Sequence, residues 1–391
     1  MSLPTVLVDA GPWLDVPPSG YGGVENVIAT LVPELRRAGH RVVVATVGTS
    51  RVEADDLVTP WPRPRFDALP GPAPQAFGVV HAHLAGVLDY LADHPEIDLV
   101  HSHVEVVGPA MLAAVPTAPP TLHTLHWDPR RQAELYEVFD GRGRVWVNGV
   151  SASHVARMPA NLRRQCLGAV LLSTPMPPPK PDPAPDAPLL VLGRICEVKG
   201  QDTAARVAKA LDRDLVIAGP VADASDADAL AAAGDRLGHN ADVAFLRDRV
   251  SPLLDGHRRR WVGSVGGAEK VALLAGAHAL LAPVRWEEPG ATVVVEALAA
   301  GTPVVALRRG VMPELIDHGV TGFLADDADE MVELTSRVGE LDRAICRRVA
   351  EERFSPARMA ADYQRLYNEV LRRSGQTVVE ARASGPVPVA G

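Results

Sequence analysis

Short apolar runs alternate with amphipathic segments along the chain, and this rhythm predicts strands that alternate with helices. Thr5–Val8 has the composition of a buried strand. Val24–Ala38 predicts a helix because its apolar residues recur on one face, and Gly39 ends that helix before the apolar run Arg41–Val47. Three further runs predict strands in this half of the chain: Asp98–Val104, Thr121–His126 and Val145–Val150.

A proline-rich stretch interrupts the rhythm at residues 175–188. Such a density of proline disfavours helix and central strand alike and predicts an extended, semi-rigid spacer. The pattern then starts again, with a helix predicted at Gln201–Leu211. Five apolar runs predict strands there: Leu189–Leu192, Leu215–Ala218, Val243–Leu246, Ala279–Pro283 and Pro303–Ala306. The fold class predicted is α/β, with two Rossmann-like, doubly wound, mostly parallel sheets facing a cleft.

The spacer divides the chain into an N-terminal domain, residues 1–180, and a C-terminal domain, residues 187–355. The amphipathic helix predicted at 356–373 suits either domain, and we assign it to the N-terminal one. The tail, residues 374–391, is small, polar and rich in Pro and Gly, which predicts disorder. In open α/β sheets, ligands bind beyond the carboxyl ends of the strands, so site residues are expected just after strands.

Composition narrows the class of protein. With 47% hydrophobic and 22% charged residues, the 391-residue chain has the balance of a globular protein, and no apolar run is long enough for a transmembrane helix. The net charge of -9 argues against nucleic acid as a partner, since phosphate backbones require a basic face. The three cysteines are widely spaced and no signal peptide is evident at the N-terminus, so we expect a cytoplasmic protein with reduced thiols.

Two glycine-containing segments follow predicted strands and suit an anion. GYGGVE, residues 20–25, opens the first helix, where backbone N–H groups approach a phosphate closely, although a tight turn explains the glycines equally well. GRICEVKG, residues 193–200, places Arg194 and Lys199 at a strand end and a helix start. A guanidinium fork and a compact ammonium both bind phosphate, and solvated surface charge is the alternative for this pair.

Two glutamates bracket an apolar run in RWEEPGATVVVEALAAGTPVVAL, residues 285–307. A helix beginning near Thr292 leaves Glu288 in the preceding loop and places Glu296 in the second turn, so both carboxylates can face the cleft. Carboxylates accept hydrogen bonds from vicinal hydroxyls, as found on a ribose or a sugar ring. The N–H groups of Gly290, Ala291 and Thr292 predict an anion site at the helix N-terminus. Alternatively, both glutamates are solvated.

Metal sites are the less favoured interpretation of the remaining polar clusters. His101 and His103 follow one predicted strand, and His123 and His126 the next, but no cysteine or acidic ligand repeats nearby at zinc-like spacing. The preferred interpretation is that one or two of these histidines contact a substrate. The acidic pairs Asp226/Asp228 and Asp212/Asp214 resemble divalent-ion motifs, but they suit a helix cap and a turn.

In their order along the chain, five motifs together resemble the retaining glycosyltransferases of family 4, which have the GT-B fold. The motifs are GYGGVE, HTLHW, GRICEVKG, EPGATVVVEALAAGTPVV and GVMPELIDHGVTGFL, and the resemblance covers roughly residues 4–370. WLDVPPSGYGG and EPGATVVVEA are most similar to antibiotic-tailoring members of the family, such as those of the avilamycin pathway. Each motif alone is weak, whereas the ordered set is specific.

The resemblance implies a role for each matching residue. Gly22, Gly23 and Gly193 would approach the donor phosphates, and Arg194 and Lys199 would neutralise the leaving diphosphate. His126 would lie near the transferred sugar, and Glu288 and Glu296 match the two glutamates that contact sugar hydroxyls and the nucleotide ribose. Gly290-Ala291 stands where the family usually has Phe-Gly, which marks a place for donor preference. We expect Trp13, Asp15, His101 and His103, from their loop positions, to line the acceptor pocket.

The implied activity is transfer, with retention, of a sugar from a nucleotide diphosphate sugar, with UDP as the expected nucleotide, to a hydroxyl of a small acceptor such as a natural product or an amino sugar. No metal and no separate cofactor are required, because Arg194, Lys199 and backbone amides stabilise the leaving group. Two alternatives stay open on the sequence. One is a GT-B nucleotide-sugar epimerase, and the other is a non-enzymatic two-lobed sugar-binding protein.

Overall fold

The computed structural model describes residues 3–69 and 73–375. Two parallel sheets, each covered by helices, form two α/β domains, so the predicted fold class is confirmed. The first sheet has seven strands: β1 Val6–Asp9, β2 Val42–Val47, β3 Asp56–Trp61, β4 Leu99–Ser102, β5 Thr121–Thr124, β6 Val145–Gly149 and β7 Cys166–Ala169. The second has six: β8 Leu189–Leu192, β9 Leu215–Ala218, β10 Arg259–Trp261, β11 Ala279–Ala282, β12 Val304–Leu307 and β13 Gly322–Ala325.

Helices connect the strands in both domains. The N-terminal domain contains α1 Gly23–Arg37, α2 Ala73–Asp93, α3 Val107–Ala114, α4 Ala133–Tyr136, α5 Ala152–Ala156 and α6 Ala160–Arg164. The C-terminal domain contains α7 Gln201–Ala210, α8 Ala227–Ala233, α9 Ala241–Phe245, α10 Gly267–Gly276, α11 Thr292–Ala299, α12 Met312–Leu315, α13 Ala328–Ser336 and α14 Arg343–Phe354. The last helix, α15 Pro356–Arg373, follows α14 after a single residue.

The strand order creates one crevice in each sheet. The first sheet is ordered β3-β2-β1-β4-β5-β6-β7 and the second β10-β9-β8-β11-β12-β13. Chain order therefore reverses beside β1 and beside β8, where the loops leaving neighbouring strands diverge. Such switch points at the carboxyl edge of a parallel sheet are where α/β proteins bind ligands. Most of the predicted site residues lie in these loops or at the helices that follow them.

The chain crosses between the domains twice, at neighbouring places. The proline-rich stretch 175–188 contains neither helix nor strand and carries the chain forward. α15 returns to the first domain, where Met359, Tyr363 and Tyr367 are fully buried against the core of the first sheet. Ser173 Oγ donates to Phe354 O at 2.6 Å, which joins the two crossings. Of the predicted tail 374–391, only Ser374 and Gly375 are described, and they form a turn; the rest lies outside the described residues.

One predicted strand is wrong. Val243–Leu246 is helical, because Asn240 caps α9 by accepting hydrogen bonds from Asp242 N and Val243 N, and Phe245 and Leu246 turn into the core from a helix face. A short apolar run does not distinguish strand from buried helix. Four strands were not predicted: β3, β7, β10 and β13. All four are edge strands of their sheets, and β3, β7 and β10 also contain mixed polar or small residues, which weakens the apolar signal.

Candidate active site

The loop after β8 carries the two predicted phosphate-binding cations. Arg194 follows Gly193 directly, and Lys199 ends the short 3-10 turn Glu197–Lys199 before α7. Arg194 Nη1 donates to Asp242 Oδ2 at 2.8 Å, a partner that the sequence did not indicate. Part of the Arg194 side chain stays exposed, as does part of Lys199. Both cations are therefore paired with an acidic side chain and remain partly exposed.

Glu288 is the buried carboxylate of the site, with a residue exposure of only 7%. Its Oε2 accepts hydrogen bonds from Lys199 Nζ at 2.5 Å and from Trp286 Nε1 at 2.7 Å. Because a buried carboxylate is costly unless it is paired, these two donors make the position tolerable. The predicted sugar-binding glutamate and the predicted phosphate-binding lysine thus form one ion pair across the loops after β11 and β8.

Glu296 lies in the second turn of α11, as its spacing from Glu288 predicted. Its Oε1 accepts from Lys270 Nζ of α10 at 2.7 Å, and both side chains are largely buried. Lys270 was missed, since a lysine in a helix carries no sequence signal of its partner. α11 begins at Thr292, after Ala291 in the left-handed region at φ 45°, and no side chain caps it. Its first N–H groups therefore remain available to an anion.

The glycine loop of the first domain faces the cations of the second. The loop ends at Gly22 and Gly23, the N-cap and first residue of α1. Partial burial raises the pKa of Tyr21, and the nearby cations Arg194 and Lys199 act against this rise, which places them within electrostatic range. Burial raises the pKa of Glu25 to about 7, so this carboxyl is partly neutral near neutral pH and repels a phosphate less.

His126 lies just past β5, and its main chain is held by Glu105. Glu105 Oε1 accepts from His126 N at 2.6 Å and from Trp127 N at 3.0 Å, while Oε2 accepts from Tyr136 Oη at 2.6 Å. Burial alone would raise the pKa of Glu105, but His123 and these donors hold it at about 2. Glu105 is thus an anion that fixes the backbone at His126. Its only sequence signal was its position shortly after β4.

The four residues expected in the acceptor pocket have different surroundings from one another in the structure. Trp13 is half-buried and packs near Val104, and Asp15 accepts a hydrogen bond from the Thr49 hydroxyl. His103 is 5% exposed and contacts His126. His101 does not line the cleft, which corrects that expectation. It is fully buried, with Nδ1 bonded to Tyr367 Oη and Nε2 to Thr124 Oγ1, both at 2.8 Å.

The segment after Glu288 is also the contact between the two domains. Ser151 Oγ donates to Pro289 O at 2.7 Å. Glu314 of α12 accepts from Ala152 N and Ser153 N, each at 2.7 Å, in the first turn of α5. A Cβ atom added at Gly290 would lie 2.7 Å from Cδ1 of Leu172, a residue that precedes the spacer between the domains. A phenylalanine at this position would therefore require the side chain of Leu172 to move.

Among the histidines of β4, β5 and the loops after them, His101 bonds to two hydroxyl groups and His103 bonds to His126. Across residues 3–69 and 73–375, no cluster of three or more His, Cys, Asp or Glu side chains is arranged to hold a metal ion. Asp226 caps α8, and Asp212 and Asp214 both bind Arg258, as expected for structural acids. No described helix is both long and apolar enough to cross a membrane.

Each domain matches a different protein-family model. The Glycosyltransferase Family 4 model matches residues 21–161, and the Glycosyl transferases group 1 model matches residues 178–349. The first match begins in the glycine loop and includes His126. The second includes both cations of the β8 loop and both glutamates of the α11 region.

Curated relatives match parts of the chain. N-acetyl-alpha-D-glucosaminyl L-malate synthase of Bacillus anthracis is 32% identical over 117 residues, which are 28% of this chain and 30% of that protein. D-inositol 3-phosphate glycosyltransferase of Mycobacterium tuberculosis (strain F11) is 30% identical over 224 residues, which are 52% of this chain and 43% of that protein. The chain therefore spans less than half the length of either relative.

Solved structures match over nearly the full length. AviGT4, a glycosyltransferase involved in avilamycin A biosynthesis, has a TM-score of 0.64 at 23% identity and covers 94% of this chain and 98% of its own. Anabaena HepE, in complex with UDP and glucose, has a TM-score of 0.65 at 15% identity and covers 93% and 99%. At these identities the likeness shows the fold.

The bond between Glu314 and α5 predicts a closed arrangement of the domains. Glu314→Ala removes the acceptor of two N–H groups, each bond to a charged group contributing about 2 kcal/mol, so the population of separated domains should rise more than tenfold. Small-angle X-ray scattering should show a larger radius of gyration, whereas the exposed Glu333→Ala should not change it. An unchanged radius in Glu314→Ala would contradict the role of this contact.

Proposed function

We propose, since each of its domains matches a glycosyltransferase family model, that the chain is a glycosyltransferase of the GT-B type. In this proposal it transfers a sugar with retention from a nucleotide diphosphate sugar to a hydroxyl of a small acceptor. The observation that carries the proposal is the meeting of two cations, two paired glutamates and an uncapped helix N-terminus at the switch point beside β8.

The diphosphate belongs between the loop at Gly22 and the cations Arg194 and Lys199. Gly23 begins α1 and Gly193 begins the cation loop, and the charges of Arg194 and Lys199 act on Tyr21 beside Gly22, which supports one diphosphate site for both loops. Bonding of the phosphate to Lys199 weakens its pairing with Glu288, which frees a carboxylate oxygen for a sugar hydroxyl. The ion pair of Lys199 and Glu288 thus preorganises both side chains for the donor.

Transfer breaks the bond between the anomeric carbon and the phosphate oxygen, and the electron pair leaves with the nucleoside diphosphate. Arg194, Lys199 and the N–H groups of Ala291 and Thr292 stabilise that charge, so we propose a reaction without a metal. The acceptor hydroxyl forms the new bond on the same face of the sugar, and its proton passes to the departing phosphate oxygen. The contact through Pro289 and Glu314 excludes water from the closed cleft.

UDP is the nucleotide we propose, since HepE, which shares the fold, binds UDP and glucose. For the acceptor we propose a small hydroxyl compound, in keeping with the avilamycin A biosynthesis of AviGT4 and with the L-malate and D-inositol 3-phosphate in the names of the curated relatives. Trp127, next to His126, is 50% exposed and offers an aromatic face for a ring. The three free cysteines fit a reducing compartment, and we place the reaction in the cytoplasm.

Lys199→Met should lower the rate of transfer by roughly 100- to 1000-fold, because a cation at the leaving group is lost. The measurement is nucleoside diphosphate release from the nucleotide sugar that most raises the melting temperature in a thermal-shift screen of UDP-, GDP- and dTDP-sugars. The exposed Lys209→Met is the matched control.

The same substitution leaves Glu288 without its cation, so the double variant Lys199→Met/Glu288→Gln separates the two effects. The double variant should stay as slow as Lys199→Met. Recovery of the rate would show that an unpaired carboxylate, rather than a missing phosphate ligand, caused the loss. Wild-type rates in Lys199→Met and Arg194→Ala would rule out the phosphate role altogether.

Glu296→Ala should weaken UDP binding by about 10- to 100-fold, because a charged acceptor of ribose hydroxyls is removed. Calorimetry with UDP, 2′-deoxy-UDP and 3′-deoxy-UDP makes the comparison specific. Wild-type protein should bind the deoxy compound that lacks the contacted hydroxyl as weakly as Glu296→Ala binds UDP. Glu296→Ala should bind UDP and that deoxy compound with equal affinity. Unchanged UDP affinity in Glu296→Ala would contradict the ribose assignment.

A further inference from the structure

The rings of His103 and His126 are joined by one hydrogen bond. His103 Nδ1 and His126 Nε2 lie 2.8 Å apart, with ring centroids 5.1 Å apart. One of these two nitrogens donates and the other accepts. Since a neutral imidazole carries a single N–H, the direction of this bond decides which nitrogen of His126 holds its proton.

Both rings are neutral near pH 7. Burial lowers the pKa of His103 well below its ordinary value, and the neighbouring rings of His101 and His126 add to this effect. Burial also lowers the pKa of His126 to about 4, although the Glu105 carboxylate opposes the shift. The pair therefore holds two protons in total, one on each ring.

The environment of His103 Nε2 decides the direction. This atom is buried and has no hydrogen-bond partner among the described residues. If His126 donated, the proton of His103 would lie on Nε2 as a buried N–H without an acceptor, which proteins avoid more strictly than an unpaired acceptor. If His103 Nδ1–H donates, only a lone pair remains there. The second arrangement is favoured.

His101 leaves this direction undisturbed. The Asn148 amide donates to Gly149 O at 3.0 Å, so its oxygen accepts from the Thr124 hydroxyl at 2.8 Å. Thr124 in turn accepts from His101 Nε2–H, and His101 Nδ1 accepts from Tyr367 Oη. Both nitrogens of His101 are thereby occupied. It packs against His103 with ring centroids 4.2 Å apart and does not bond to it.

With His126 Nε2 accepting, its proton lies on Nδ1. That nitrogen has no hydrogen-bond partner within residues 3–69 and 73–375 and is not fully buried, so it is accessible to a ligand. We propose that His103 is a positioning residue that fixes His126 as its Nδ1–H tautomer, so that His126 offers the donor sugar a neutral N–H. The inference rests on the proposed function for the sugar, but the tautomer is measurable without any substrate.

Protein labelled with ¹⁵N-histidine tests the tautomer directly. Two-bond ¹H–¹⁵N correlation spectra at pH 7, with the His126 signals assigned by their loss in His126→Gln, should show a protonated Nδ1 and an unprotonated Nε2. The reverse pattern in wild-type protein would overturn the proposal, and this result needs no variant of His103 to fold.

Two nearly isosteric substitutions then test the positioning role. His103→Asn places an amide N–H where Nδ1 stands, and His103→Leu has a similar shape without a donor. His103→Asn should keep the Nδ1–H form and a kcat within about threefold of wild type. His103→Leu should shift His126 toward the Nε2–H form and lower kcat roughly 10- to 100-fold, with donor KM nearly unchanged.

Melting temperatures confirm that both variants are folded before they are compared. An unchanged tautomer in His103→Leu would overturn the positioning role, as would a changed tautomer with unchanged kcat. If wild-type protein turns over none of the nucleotide sugars in the screen, the proposed function is contradicted instead. The tautomer assignment would still stand on the spectra.

Discussion

The pairing of Glu288 with Lys199 is the constraint around which the site is built. A carboxylate this buried is costly unless a cation or hydrogen-bond donors lie beside it, and the cation of Glu288 comes from a loop that is distant in sequence and adjacent in space. The two loops meet because β8 and β11 are neighbours at the switch point of the second sheet. Close backbone approach completes the arrangement, since a Cβ at Gly310 would lie 2.3 Å from Glu288 N.

The first domain acts on this ion pair through the chain segment that follows it. Pro289 bonds to Ser151, Gly290 packs on Leu172, and the Arg131 guanidinium lies 4.7 Å from the ring centroid of Trp286, which itself donates to Glu288. Any movement between the domains therefore alters the surroundings of the donor loop. In the first domain, the side chains of His103 and Glu105 hold His126 at the carboxyl edge of the sheet.

Periodicity predicted the parts of the fold that depend on local pattern. The central strands are apolar on both faces, so their sequences contain clear apolar runs. β3 and β10 are edge strands whose exposed polar residues interrupt the apolar run. The placement of Glu288 in a loop and Glu296 on a helix followed from their spacing alone. The lysine partners of these glutamates could not be predicted, because Lys199 reaches Glu288 and Lys270 reaches Glu296 only through tertiary packing. His101 was misplaced for the same reason, since Tyr367 approaches it from the far end of the chain.

The most direct test of the account is a crystal structure of the protein with a UDP-sugar bound. The diphosphate should lie between the Gly22–Gly23 turn and the side chains of Arg194 and Lys199, the ribose hydroxyls should contact Glu296, and the sugar should lie between Glu288 and His126. A diphosphate bound away from Arg194 and Lys199, or a ribose that does not contact Glu296, would contradict it.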